Sequence, residues 1–411
     1  MAEKRDAADE RRRTTRRTVL GSALGGSTAL LGAGTFGTRP GTARETADRS
    51  PTEERTDIGL SKTQTVHDGP KELWRRTYGG LDDERVRDLI RTSDGGYVLV
   101  GNTRSHGEAI ANAWMVKTDP GGRELWTRTF GWGTINSVVQ TTDGGYAIAG
   151  GISGAESELW IARTDAAGSL EWSRTYGGDG TLFSIAQTVD GGFAAGGFDR
   201  PRASILKVDR RGNAVGEYSR SDMVSVSDLV VSADGGVAFV GTHVGTVLDG
   251  RQDAMLGKCK FHSERVTEEF LTSFGTSNAR ENASSIVSAH DDGFVFVGLV
   301  SQSGETFHTR VVKTCPIGRS EWTVTLPDRA WKSIEPTFDG GYVLTGPHLG
   351  LVKIDGSGDR EWTAQFDRGY RAQSAIQTRD GGYALGGTGC GGDGNREFLL
   401  IRTYPWTSMD E

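Results

Sequence analysis

The chain is poor in the residues that cross-link a protein or hold a metal. It has three cysteines in 411 residues, Cys259, Cys315 and Cys390. Their number is odd, and each falls in a different repeat. Their spacings suit neither a disulfide framework nor a zinc site, which leaves them as thiols of the core or of turns. Histidine is scarce too, at seven residues. His106, His243, His308 and His348 lie in loops of different repeats, so no metal site is expected. Sustained helical periodicity is missing from residue 73 onward, which excludes a helical domain. No alternating-aspartate calcium loop, Gly-x-Ser-x-Gly elbow or phosphate-binding loop occurs. Basic charge is not in excess: the net charge is −7, and without residues 1–43, with eight basic and four acidic side chains, it is −11. Such an acidic chain is a poor partner for nucleic acid.

Glycine is abundant, at 60 residues, and it is ordered. The phrase Asp-Gly-Gly-aromatic recurs with variations, beginning at Asp94, Asp143, Asp190, Asp234, Asp291, Asp339 and Asp380. The intervals are 49, 47, 44, 57, 48 and 41 residues, the period of a propeller blade. Between two extended runs the phrase is a hairpin turn, because Asp caps its own turn and Gly accepts a positive φ. In the first copy the flanking strands are Leu89-Ile90-Arg91-Thr92 and Tyr97-Val98-Leu99-Val100. A third strand, Trp114 to Thr118, leads to a second turn, Asp119-Pro120-Gly121-Gly122, and a fourth strand opens on Trp126. The spacing Asp-x-x-Gly-x-x-x-Trp recurs at Asp165/Gly168/Trp172 and Asp355/Gly358/Trp362. The expected fold is all-β: a seven-bladed propeller of four-stranded antiparallel blades over residues 73–404. Residues 73–78 read as a fourth strand without its first three, and 398–402 as a third strand without its fourth. Pairing the two completes the last blade and removes an open edge.

With these residues in view, the repeat resembles those of exported archaeal and bacterial surface proteins with seven-bladed propellers. Their pattern is matched by Thr141-Thr142-Asp143-Gly144-Gly145-Tyr146, Lys117-Thr118-Asp119 and Thr175-Tyr176-Gly177-Gly178. The Asp-x-x-Gly-x-x-x-Trp element also resembles the tryptophan-docking motif of quinoprotein propellers. That resemblance implies an outermost strand that begins at the Trp. Quinoprotein dehydrogenases are typically eight-bladed, with calcium ligands in the channel; seven repeats and no such ligand set speak against that activity, and no cofactor is expected.

The first 72 residues differ in character. Arg16-Arg17-Thr18-Val19-Leu20, followed by a weakly apolar stretch to Gly34, resembles a twin-arginine export signal over 1–43. The stretch is too short and glycine-rich for a membrane span. Residues 44–72 read as a flexible polar linker, and 405–411 as a tail. Together these place the mature chain outside the cell or on its envelope, as a monomer. The acidic balance and the signal resemble exported proteins of halophilic archaea.

Function is expected where the copies disagree, on the face carrying the blade-to-blade connections and the second-to-third-strand loops. Candidate ligand contacts there are Asp82, Asp83, Arg85, Trp132, Asp179, Arg280, Trp331, Asp367, Tyr370 and Arg371. Rings that stack and charges that orient polar atoms suit a carbohydrate or a protein ligand. Asn282-Ala283-Ser284 is an N-glycosylation sequon. Six residues before each turn Asp stands a small polar residue (Asp88, Ser137, Ser184, Asp228, Ser285, Ser333 and Ser374), read as a repeated bond to neighbouring backbone. The chain is thus read as a non-catalytic binding or surface-interaction module. The alternative is a propeller enzyme, either a quinone-dependent dehydrogenase or a polysaccharide-cleaving enzyme with a carboxylate pair such as Asp82 and Asp367.

Overall fold

The computed structural model describes residues 54–56, 67–107, 111–153, 157–244, 252–263, 265–276, 279–302, 307–326, 330–367, 370–391 and 394–406. The export signal expected over 1–43 lies outside them. The described residues are all β, and none of them forms a helix able to cross a membrane.

Each repeat is a four-stranded antiparallel meander. The first comprises β4 (Glu84–Arg91), β5 (Tyr97–Thr103), β6 (Asn112–Thr118) and the start of β7 (Glu124–Gln140). The second takes the end of β7 as its inner strand, then β8 (Tyr146–Ser153), β9 (Ser157–Thr164) and β10 (Leu170–Thr175). The third is β11 (Gly180–Gln187), β12 (Phe193–Asp199), β13 (Arg202–Val208) and β14 (Ala214–Arg220). The fourth is β15 (Met223–Val231), β16 (Val237–Val244), β17 (Gln252–Phe261) and β18 (Val266–Ser273). The fifth is β19 (Ala279–Ser288), β20 (Phe294–Gln302), β21 (His308–Thr314) and β22 (Ser320–Leu326). The sixth is β23 (Ser333–Pro336), β24 (Tyr342–Gly346), β25 (Gly350–Ile354) and β26 (Arg360–Gln365). The seventh is β27 (Arg371–Gln377), β28 (Tyr383–Cys390) and β29 (Arg396–Thr403). Its fourth strand comes from the other end of the chain: β3 (Glu72–Tyr78) pairs with β29, with Thr77 opposite Leu399 and Trp74 opposite Arg402.

The central strands are buried on both faces, so they read as apolar runs rather than alternating ones. Val98, Leu99 and Val100 are wholly buried, as are Ala147 to Ala149. Each hydrophobic cluster joins two successive repeats. One holds Val100, Met115, Ile148 and Trp160 of the first and second; another holds Leu89 and Trp114 of the first with Ala384 and Phe398 of the seventh.

Two polar devices repeat with the meander. The first is a clamp at the Asp-Gly-Gly turn. The carboxylate of Asp190 accepts hydrogen bonds from the Thr188 hydroxyl at 2.6 Å and the Gly192 amide at 3.0 Å, and from the buried Lys207 ammonium at 2.8 Å. Lys117, Lys258, Lys313 and Lys353 meet Asp94, Asp234, Asp291 and Asp339 in the same way, and Arg163 and Arg402 substitute at Asp143 and Asp380. Burial works to raise the carboxyls of Asp94 and Asp190, but the hydroxyl, ammonium and amide donors outweigh it and bring both down to about 2. The second device is docking of an outer aromatic ring on the next repeat's Gly. Trp74 lies against Gly122, Trp126 against Gly168, Trp172 against Gly212, Phe270 against Gly318 and Trp322 against Gly358. These glycines have φ between 76° and 89°, and a Cβ on Gly168 would stand 2.8 Å from the Trp126 ring. Arg128 lies over the same ring, 5.2 Å from its centroid, and donates to the Ala167 carbonyl.

Part of the stretch read as a flexible linker is strand. β1 (Glu54–Thr56) runs parallel to β22, and β2 (His67–Asp68) runs parallel to β26. Both add to outer strands, whose unpaired backbone groups accept another strand. Trp406, near the other terminus, stacks on Trp362 at 5.9 Å and donates its indole N–H to the Asp68 carbonyl.

Three outcomes test this account. Deleting residues 73–78 exposes β29 and should lower the melting temperature sharply; an unchanged melting curve would refute the pairing. Gly168→Ala combines a left-handed φ with a steric clash and should cost about 1–3 kcal/mol or more in denaturant unfolding. The depressed aspartate clamps stabilise the fold fully above about pH 4 and lose that contribution as pH falls through about 2. A Lys207→Met variant should therefore show a shallower loss of stability over that interval than the parent protein.

Candidate functional site

A β-bulge recurs near the start of the inner strand. It leaves unpaired Arg87, Asn136, Phe183, Ser227, Ser284 and Gln373 in the first, second, third, fourth, fifth and seventh repeats. The residue after each bulge is the small polar one noted in the sequence, and it reaches into the next repeat. Asp88 accepts from the Val138 amide at 3.0 Å, Ser184 from Leu229 at 3.3 Å and Asp228 from Ile286 at 2.9 Å. Ser374 donates to the Leu89 carbonyl at 3.5 Å, linking the seventh repeat to the first. These side chains bond backbone groups of the adjoining inner strand.

Because they bond backbone of the next repeat, these residues hold the inner strands of successive repeats in a fixed relation, and carboxyls on different repeats influence one another. Asp88 is pushed up to about 6 by burial, against its two backbone amides and with Asp228 adding repulsion. Asp228 is likewise raised by burial, against bonds from Ser184 and the Ile286 amide. Glu335, two residues past Ser333, is pushed up to about 8 by burial and by the charges of Asp88 and Asp228. The same place in the other repeats holds Ile90, Val139, Ala186, Val230, Val287 and Ile376. Glu335 was missed in the sequence, although it is the one polar residue in an otherwise apolar register.

Above this level is an open cleft of about 400 Å³, lined by Arg87, Thr134, Asn136, Gly151, Ser157, Gly180, Thr181, Phe183 and Gln373. It draws on the inner strands of the seventh, first, second and third repeats. Asn136 is held by bonds to the Thr181 hydroxyl at 3.0 Å and the Leu182 carbonyl at 2.8 Å. Phe183 packs on Phe198, with ring centroids 5.7 Å apart. Burial and the nearby Arg85 lower the pKa of Arg87.

None of the ten contacts expected from the sequence lines this cleft, though Arg85 and Trp132 are near neighbours of its residues in the chain. Trp132 is 48 % exposed, and Arg85, Arg280 and Arg371 are exposed. Tyr370 packs against the core of the sixth and seventh repeats. Asp179 pairs with Arg200 at 3.4 Å, Asp83 with Arg396 at 3.8 Å and Asp367 with Arg75 at 3.6 Å. Asp82 is held through its backbone by Ser105. Trp331 is corrected outright: only 3 % exposed, it fills space beside Gly346 and Gly350 and cannot stack on a ligand. The sixth repeat has the shortest second and third strands, five residues each, and the ring packs where they end. Asn282 gives its amide oxygen to the Leu299 amide at 3.1 Å. The clue to the cleft was the residue just before each small polar one, which varies while its neighbours do not. Cys259 is buried and its thiol is pushed up to about 12 by burial and by Glu268 and Glu269, so it stays protonated; Cys315 and Cys390 are also free thiols.

No protein-family model and no curated protein matches the chain. Solved structures do. The WD40 β-propeller domain of Doa1 is 14 % identical, with a TM-score of 0.53 over 84 % of this chain and 97 % of its own. Streptogramin B lyase is 10 % identical, with a TM-score of 0.51 over 80 % and 98 %. YCF48, solved bound to D1 peptide, is 13 % identical, with a TM-score of 0.51 over 83 % and 100 %. At such identities the likeness establishes the fold alone: the chain is similar to β-propellers, a scaffold that carries both binders and an enzyme.

Proposed function

We propose that this chain is an exported seven-bladed propeller, closed into a ring by β3, that acts as a non-catalytic binding module at the cell surface. The observation that carries the reading is the cleft around Arg87, Asn136 and Phe183. It is assembled from the bulge position, where the repeats differ most, on a frame whose clamps and docked rings are nearly uniform. Support for closure comes from the β3–β29 pairing and from the core shared by the seventh and first repeats. The twin-arginine resemblance and the acidic charge support export, with the mature chain acting as a monomer that needs no cofactor. A carbohydrate or protein ligand in this cleft is bound by hydrogen bonds and one ring face.

One observation favours a second reading, an enzyme that cleaves polysaccharide. Asp88 and Glu335 are carboxyls raised to different extents, and the charge of Asp88 contributes to the rise at Glu335, a pattern suited to acid and base roles. The two readings separate on the purified full chain, probed on glycan and peptide arrays and assayed for polysaccharide cleavage. The binding module predicts retention of ligand without turnover, and retention that Glu335→Gln leaves intact and Asn136→Ala weakens. Turnover abolished by Glu335→Gln would overturn it.

A further inference from the structure

The two tiers of residues at the mouth are electrically lopsided, although the protein is acidic. The upper tier, three residues before each small polar residue, reads Arg85, Thr134, Thr181, Ser225, Asn282, Ala330 and Arg371 through the seven repeats. The tier below it, at the bulge or at the matching place in the sixth repeat, reads Arg87, Asn136, Phe183, Ser227, Ser284, Lys332 and Gln373. The two tiers contain four cations and no carboxylate. All four cations fall in the sixth, seventh and first repeats, and the remaining repeats contribute neutral hydrogen-bonding groups and one ring. The arc is contiguous, because β27 packs against both β4 and β23.

These four cations are exposed, unlike the buried lysines of the third strands. Lys117, Lys207, Lys258, Lys313 and Lys353 each have a carboxylate partner. Arg85, Arg87, Lys332 and Arg371 have no ion pair among the described residues, and Arg85 and Arg87 repel each other in the same strand. Bringing like charges together without a counterion is unfavourable, and an incoming anion relieves it. An anionic group that enters the cleft meets one guanidinium, Arg87, among hydroxyl and amide side chains, and no carboxylate.

Resting on the binding-module reading, we propose that the cleft takes an acidic oligosaccharide, with the carboxylate of a uronic acid residue on Arg87 and the sugar ring against Phe183. A uronic acid has one anionic group, a hydroxyl-rich edge and a flat C–H face. The cleft offers a guanidinium for a bidentate bond, the hydroxyl and amide side chains of Thr134, Asn136 and Gln373, and the ring of Phe183. A peptide's chain-terminal carboxylate shares the charge, but peptide side chains are served by apolar pockets, and Phe183 is the one large apolar side chain lining the cleft.

Calorimetric titration of the full chain with trigalacturonate, with its methyl ester and with a short peptide bearing a free carboxylate tests this. Trigalacturonate should bind, more weakly as salt is raised. The ester and the Arg87→Gln variant should each lose roughly 10- to 100-fold in affinity, the worth of a charge-assisted hydrogen bond. Arg123→Gln, on the Asp119 turn away from the cleft, should bind as the parent does and controls for folding. Equal affinity for acid and ester, no effect of Arg87→Gln, no binding of trigalacturonate, or tighter binding of the peptide would each overturn the proposal. Neutral glycans or peptides retained on the arrays would leave the binding-module reading standing in any of these cases.

Discussion

The structure depends on a buried ammonium or guanidinium in the third strand of each repeat and the turn aspartate that neutralises it. A buried cation without a partner is costly, so the fold can seat one between its strands only if the Asp-Gly-Gly turn closes over it. The turn, in turn, is set by the same carboxylate, which also takes a hydroxyl and an amide. One side chain therefore fixes the first hairpin and ties the third strand to it. With three of the four strands locked in register, the outer strand is placed by the docking of its aromatic ring on the neighbouring repeat. Local order and contact between repeats thus come from a few atoms used again in each copy.

The inner strand works differently. Its bulge leaves a variable residue out of the ladder, and the next polar side chain crosses to the adjoining repeat. The same irregularity that joins the repeats therefore also makes the binding surface. This explains why the cleft draws on several repeats while each contributes little, and why the carboxylates of Asp88, Asp228 and Glu335, far apart in the chain, influence one another's protons.

Much of this was legible beforehand. The turn phrase, the strand count and the pairing of residues 73–78 with the last strand followed from spacing, because each is a local or periodic property. The aspartate's partner was less visible: Lys117-Thr118-Asp119 was read as part of a pattern, yet nothing in one copy says that the lysine points inward to Asp94. Trp331 differs from its sequence reading because an aromatic residue in a connection looks like a ligand platform until its ring is seen packed on Gly346 and Gly350. The strands at 54–56 and 67–68 were hidden for a related reason. Their composition is polar, and what makes them strands is the open edge of β22 and β26.

The sequence by itself determined the repeat, its turns and its all-β character, since hairpin chemistry acts between residues a few positions apart. Only the tertiary structure decided which side chains share a space: the cleft at Arg87, Asn136 and Phe183, the carboxyl group around Glu335 and the burial of Trp331. Those depend on bulges that rotate single residues and on repeats tens to hundreds of positions apart coming side by side. No local spacing encodes that, because a one-residue bulge reverses which face a side chain takes.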